Sequence, residues 1–161
     1  MTAAVLTVSD SAARGEREDL SGPATAELLR QHGFEVEFQR VVADEQGEIE
    51  DALSQLAEQV QLVVTTGGTG IAERDVTPEA TRVVCTKLIE GIPEKMRAAG
   101  LAKTPYAILS RGLCGVRGRT LILNLPGSPK GAVDSLQAVV DILPHAVELL
   151  AGKTGHGEST P

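Results

Sequence analysis

Three aspartates, Asp10, Asp44 and Asp75, each stand just beyond an apolar, β-branched run, and the last of them follows a cluster of glycines in the stretch LVVTTGGTGIAERDVTP from Leu62 to Pro78. Carboxylates beside a glycine loop suit Mg²⁺ on a nucleotide, because Mg²⁺ takes hard oxygen ligands, few from protein and the rest from water and phosphate. Gly67, Gly68 and Gly70 let backbone N–H groups approach an anion with no Cβ in the way, and Thr65, Thr66 and Thr69 add hydroxyls. Arg74, Arg111, Arg117, Arg119 and Lys130 are the candidate cations for phosphate or a leaving group. Taken singly, Asp10 reads just as readily as a helix cap or solvated acid, Asp44 and Asp75 less so, and each cation reads more readily as a solvated surface charge. The pairing of Arg74 and Asp75 directly after the glycines favours chemistry over a plain turn.

Two familiar nucleotide motifs are excluded. Gly152-Lys153-Thr154 lacks the first glycine of a Walker loop, since Val147 stands there, and no strand is followed by G-x-G-x-x-G. His32, His145 and His156 lack ligand spacing, and Cys85 and Cys114 form no CxxC, so neither a zinc site nor a disulfide framework is indicated.

The elements that must position these residues are legible from hydrophobic period. Ala3 to Val8 reads as a buried strand ending at Ser9-Asp10-Ser11, followed by a charged surface loop from Ala12 to Gly22. Ser21-Gly22-Pro23 starts a helix that ends at Gly33. Phe34 to Val42 alternates like a half-exposed strand near a sheet edge, and Glu48 to Gln59 keeps a helical period. Leu62 to Thr66 is a buried strand, and Thr77-Pro78-Glu79 launches a helix through Leu88. A short helix over Pro93 to Ala99, a strand over Tyr106 to Ser110, a glycine-rich basic loop over Arg111 to Gly118 and a strand over Thr120 to Leu125 are predicted next. One last helix, Lys130 to Leu150 with Pro144 as a kink, presents a wide apolar face. The tail from Gly152 is small and polar, and the period predicts no structure there. The fold class is therefore α/β: a single three-layer domain over residues 1–151 with a mostly parallel sheet. In such sheets ligands bind beyond the carboxyl ends of the strands.

Composition narrows the partners. The chain has 161 residues, 42% hydrophobic, and a net charge of −7, which repels nucleic-acid backbones and anionic membranes. Phe34, Phe38 and Tyr106 are the only aromatics, too few for base stacking. No apolar stretch approaches membrane-spanning length, and two isolated thiols fit a reducing cytoplasm.

Five segments, TVSDSAARGEREDLSGP (Thr7 to Pro23), VVADE (Val41 to Glu45), TTGGTGIAERDVTPEAT (Thr65 to Thr81), MR with TPYAILSR (between Met96 and Arg111) and GVRGRTLILNLPGSPK (Gly115 to Lys130), closely resemble, in order, the molybdopterin adenylyltransferases, whose MogA-like fold also forms the G domains of gephyrin and its plant counterpart. The resemblance implies a cytoplasmic homotrimer of molybdenum-cofactor synthesis. It implies transfer of AMP from Mg-ATP to the terminal phosphate of molybdopterin, with release of pyrophosphate before a separate partner protein inserts molybdenum. It assigns catalysis and Mg²⁺ to Asp44 and Asp75, and nucleotide or pterin binding to Ser9, Asp10, Thr66, Gly67, Gly68, Thr69, Gly70, Ser110, Arg111, Asn124, Pro126, Gly127, Ser128 and Lys130. One departure is Gly100, where many relatives carry serine. The alternative is a non-catalytic pterin- or nucleotide-binding protein of MoaB type, which often lacks the RDVTPEAT form kept here.

Overall fold

A computed structural model of the chain describes residues 1–153, so the predicted lack of structure in the tail falls, from Thr154 onward, outside the described residues. Six strands form one sheet in the order β2-β1-β3-β6-β5-β4. Its parallel part comprises β1 (Thr2–Val8), β2 (Glu35–Val42), β3 (Leu62–Thr66) and β6 (Thr120–Leu125). The short β4 (Lys87–Leu88) and β5 (Cys114–Arg117) complete it as an antiparallel edge. As its alternation predicts, β2 is an edge strand, at the parallel end of the sheet, and mostly exposed.

The unbroken apolar runs of β1, β3 and β6 are explained by burial on both faces. On one face Ala3, Val5, Leu62, Val64, Leu121 and Leu123 pack with α2 (Ser21–Gln31), α5 (Gly91–Leu101), α6 (Pro129–Gln137) and α7 (Leu143–Leu150). On the other, Ala4, Leu6, Val63 and Ile122 pack with α3 (Gln46–Ala57) and α4 (Thr77–Val84). From β1 the chain reaches β2 by way of α2; from β2 it reaches β3 by way of α3, on the opposite face. Because β2 and β3 flank β1 on opposite sides, the connections leaving β1 and β3 diverge and open a crevice between their ends. Cross-strand register brings Val42, Val8, Thr66 and Leu125 to one common rim.

Five expectations are corrected. Tyr106 to Ser110 is not a strand: Pro105–Leu109 forms a 3-10 turn started by the Thr104 hydroxyl, which accepts from Tyr106 N–H at 3.3 Å. Within the expected loop Arg111 to Gly118 lies β5, and within the loop after β1 lies the one-turn helix α1 (Asp10–Ala13). α4 stops at Val84, and Lys87–Leu88 belongs to β4 rather than to that helix. The final helix is two helices, because Val139 leaves helical geometry (φ −128°, ψ −6°) and Pro144, lacking an N–H, opens the first turn of α7.

Candidate active site

At the rim between β1, β3 and β6 lies a cleft of about 410 Å³, walled by Val8 and Ser9, by Thr66 to Gly68, by Gly127 to Pro129, and by Asp44 and Asp75. Its floor depends on close backbone approach. Gly67 has φ +94°, and a Cβ there would run into the carbonyl of Val8, while its N–H donates to Leu125 O at 3.1 Å. Gly127 lies against the same glycine, 3.2 Å from Gly67 Cα measured at the place of its own missing Cβ. Three strand ends therefore meet without side chains between them. Thr77, buried at the start of α4, donates from its hydroxyl to Gly67 O at 2.9 Å and from its backbone N–H to Gly68 O at 3.1 Å.

The two remaining glycines make room for the two acids. A Cβ on Gly68 would collide first with the Thr77 hydroxyl and would stand 3.3 Å from Asp44 Oδ1, and one on Gly70 would stand 2.8 Å from Asp75 Oδ2. Asp44 is fixed by a reciprocal exchange with Asp10: Asp10 N–H donates to Asp44 Oδ2 at 2.8 Å, and Asp44 N–H donates to Asp10 Oδ1 at 2.9 Å. Arg74 forks onto Asp10 at 2.6 and 3.0 Å and reaches Glu45 at 2.9 Å. These contacts divide the electrostatics. The Arg74 guanidinium holds the Asp10 carboxyl below the ordinary aspartate range. Asp44 goes the other way, raised first by burial and then by the negative charges of Asp10 and Asp75, which outweigh the bond from the Asp10 backbone and the more distant Arg74. Asp75 Oδ2 accepts from Ala72 N–H at 3.0 Å, closing the turn that carries it.

Among the described residues the cleft is thus lined by four carboxylates, Glu18, Asp19, Asp44 and Asp75, against one cation, Arg17. Asp44 Oδ1 accepts no hydrogen bond among the described residues and faces the glycine loop. Its half-buried, uncompensated charge suits a hard divalent cation shared with phosphate oxygens, so the residues present fit Mg²⁺. Among the described residues no group of three or more His, Cys, Asp or Glu is placed to hold a metal ion by itself. Burial pushes the thiols of Cys85 and Cys114 up to about 11 and about 12, which leaves neither as a nucleophile.

The candidates divide by place. Ser9, Thr66, Gly67, Gly68, Gly127 and Ser128 join Asp44 and Asp75 in the cleft wall. Asp10 stands behind it as the partner of Asp44. Asn124 is buried elsewhere, its amide donating to the hydroxyls of Thr65 and Thr81 and its carbonyl accepting from Leu113 N–H. Arg111 and Arg117 point at backbone carbonyls of the loop and of α4, and Lys130 is exposed in the first turn of α6. Pro126, Ser110 and Gly100 line a neighbouring apolar groove of about 450 Å³ between α5, the 3-10 turn and α6. At Gly100 a Cβ would press on that of Ala107, so the glycine lets α5 and the turn close together. Sequence reasoning missed Arg17 and Asp19. Asp19 accepts from Gly22 N–H at 3.0 Å and from the Thr7 hydroxyl at 2.7 Å, capping α2 and tying the loop that carries Arg17 to β1. An acid three residues before Gly22-Pro23 was the available signal.

Fold and cleft together define a class: α/β proteins whose ligand crevice opens at the switch point of a mostly parallel sheet. Residues 4–145 match the family described as a probable molybdopterin binding domain. A molybdopterin adenylyltransferase from Helicobacter pylori (strain J99) is 47% identical over 92% of this chain and 86% of its own length. Its namesake from Escherichia coli K12 is 39% identical over 92% and 84%. Among solved structures, the molybdopterin biosynthesis enzyme MoaB from Thermus thermophilus is similar with a TM-score of 0.89 and 52% identity, covering 94% of this chain and 96% of that one. The chain belongs to the molybdopterin adenylyltransferase family, nucleotidyltransferases of molybdenum-cofactor biosynthesis.

Proposed function

We propose that this chain transfers AMP from Mg-ATP to the terminal phosphate of molybdopterin and releases pyrophosphate. The observation that carries the reading is the convergence of Asp44 and Asp75 on a glycine loop that has space, through Gly68 and Gly70, for both carboxylates. A site that only bound an anionic ligand would gain nothing from these negative charges. Asp44 and Asp75 would hold Mg²⁺, which when bound neutralises charge on the nucleotide phosphates. The residues of the chain do the rest. The backbone N–H of Gly68 on the cleft wall and the Ser128-capped start of α6 orient phosphates, and Arg17 supplies positive charge at the cleft mouth. A terminal phosphate oxygen of the pterin attacks the α-phosphorus in line, the bond from that phosphorus to the bridging oxygen breaks, and pyrophosphate leaves.

The neighbouring apolar groove beside Pro126 and Ser128 is the space for the pterin end of the substrate pair. No helix among the described residues is long and apolar enough to cross a membrane, and both cysteines are free thiols, which supports a cytoplasmic setting. The assembly we propose is a homotrimer that passes adenylylated pterin to a separate molybdenum-insertion protein. Incubating the protein with molybdopterin, Mg²⁺ and ATP labelled on the α-phosphate tests the reaction. Label should appear on the pterin in equal amount to the pyrophosphate formed. Tight pterin binding with no labelled product at any Mg²⁺ concentration would instead support the non-catalytic MoaB-type reading.

A further inference from the structure

The glycine loop holds itself together poorly. Between Gly67 and Thr77 its backbone hydrogen bonds to itself are those from Asp75 N–H to Ala72 O and from Thr77 N–H to Gly68 O. Three of its carbonyls instead converge on one residue much further along the chain, in the fold's antiparallel half. Arg111 donates from its backbone N–H to Thr69 O at 2.8 Å, from Nε to Gly70 O at 2.8 Å and from Nη2 to Asp75 O at 2.9 Å. Its Nη1 pairs with Glu79 Oε1 on α4, and the other oxygen of Glu79 is buried without a partner among the described residues. Arg111 is itself held from behind: Arg97 on α5 donates to the carbonyls on either side of it, Ser110 O at 3.3 Å and Gly112 O at 3.2 Å.

We propose that Arg111 is a positioning residue for AMP transfer, fixing the Asp75 carboxylate through the backbone of the loop, and not a phosphate ligand. This rests on the proposed function. The charge of Arg111 is already countered by Glu79, and the residue does not line the cleft. A planar guanidinium fork can serve two carbonyls and a carboxylate at fixed angles, whereas a lysine offers the charge without the fork. Loss of the fork frees the Asp75 turn while the cleft wall at Val8, Thr66 and Gly127 stays in place.

A double-mutant cycle on the full chain tests this, using Arg111→Lys, Arg111→Ala, Asp75→Asn and the two combinations. Each is first checked by circular dichroism and melting temperature. The expected result is a fall in kcat of about tenfold or more for Arg111→Lys with KM for ATP within about twofold, because an interaction made only in the transition state is weakened. In the Asp75→Asn background the same change should alter kcat by no more than about twofold, since two residues acting through one contact are not additive. Guanidinium ion at millimolar concentration should restore part of the activity of Arg111→Ala and none of that of Arg111→Ala/Asp75→Asn. Additive losses, or a rise in KM for ATP at constant kcat, would overturn the positioning role, the second by making Arg111 a phosphate ligand. Should the wild type transfer no AMP, the proposed function fails separately. The cycle is then read from the Mg²⁺ dependence of ATP binding, where additivity or the absence of any Mg²⁺ dependence overturns this inference as well.

Discussion

Asp10 and Asp44 exchange backbone bonds across 34 positions of sequence, yet their carboxyls answer pH in opposite senses. Asp10, lowered by Arg74, contributes stability that is complete above the ordinary aspartate pKa and is lost as pH falls through its depressed folded value. Asp44, raised by burial and by its acidic neighbours, binds protons more tightly folded than unfolded. Its contribution is therefore lost as pH rises from the ordinary aspartate range through its raised value, and at neutral pH the charged group burdens the fold. Asparagine at either position keeps an oxygen for the reciprocal bond. Asp44→Asn should consequently raise the melting temperature of the ligand-free protein at pH 7 and Asp10→Asn should lower it, with both differences shrinking toward pH 3. Melts from pH 3 to 7 decide it; equal signs for the two variants would contradict this assignment of charge. Arg17 gives a second residue-scale prediction. Arg17 is the one cation of the cleft wall among the described residues, and its replacement by Ala should weaken Mg-ATP binding several-fold at low salt, the difference fading above about 0.5 M salt, as calorimetry would read. Lys130→Ala, which removes an exposed charge outside the wall, should do less.

At the scale of elements, what the sequence made legible were the long periodic segments and the glycine loop, because their burial patterns repeat over many residues. The edge at β4 and β5 was hidden for a different reason. Cys114–Arg117 is a strand because β6 pairs with it, and the sole local sign was Gly118-Arg119, a two-residue turn with glycine first at φ +58° that joins Arg117 to Thr120. The 3-10 turn at Pro105 carried the same Thr-Pro start as α4, but the apolar run behind it favoured a strand in the sequence and lies largely exposed in the structure. The site was legible in part. Asp44, Asp75 and the glycines declare themselves as strand-end residues, whereas the roles of Asp10, Arg111 and Asn124 depend on partners far away in sequence. The close packing of strand ends is itself testable. Gly67→Ala should destabilise the protein by about 1–3 kcal/mol from backbone strain, with more added by collision with the Val8 carbonyl, measured by urea unfolding. An unchanged midpoint would mean that the loop is not held as described.

At the scale of the whole molecule, the wide apolar face predicted for the last helix bears on assembly. Leu136, Val140, Leu143 and Val147, from α6 through the turn that follows it to α7, are buried in this chain's own core, while Ile142 and Leu149 stay exposed. A group of exposed large apolar side chains also lies around the 3-10 turn, at Leu101, Tyr106, Ile108 and Leu109. If that patch is the contact between copies, light scattering at micromolar concentration should return a trimer mass for the wild type and a lower mass for Ile108→Glu; a monomeric wild type would contradict the assembly. The central claim is that this fold brings Asp75 to a nucleotide for chemistry and not merely for binding. Asp75→Asn tests it most directly, since it keeps the shape and the bond to Ala72 while removing the charge. AMP transfer and equilibrium pterin binding should be measured on the same preparations. Transfer should fall by about 10²–10³-fold, the usual loss for one electrostatic group, while pterin binding stays within about twofold of wild type. Wild-type transfer rates in Asp75→Asn would contradict the account, reducing Asp75 to a structural turn residue.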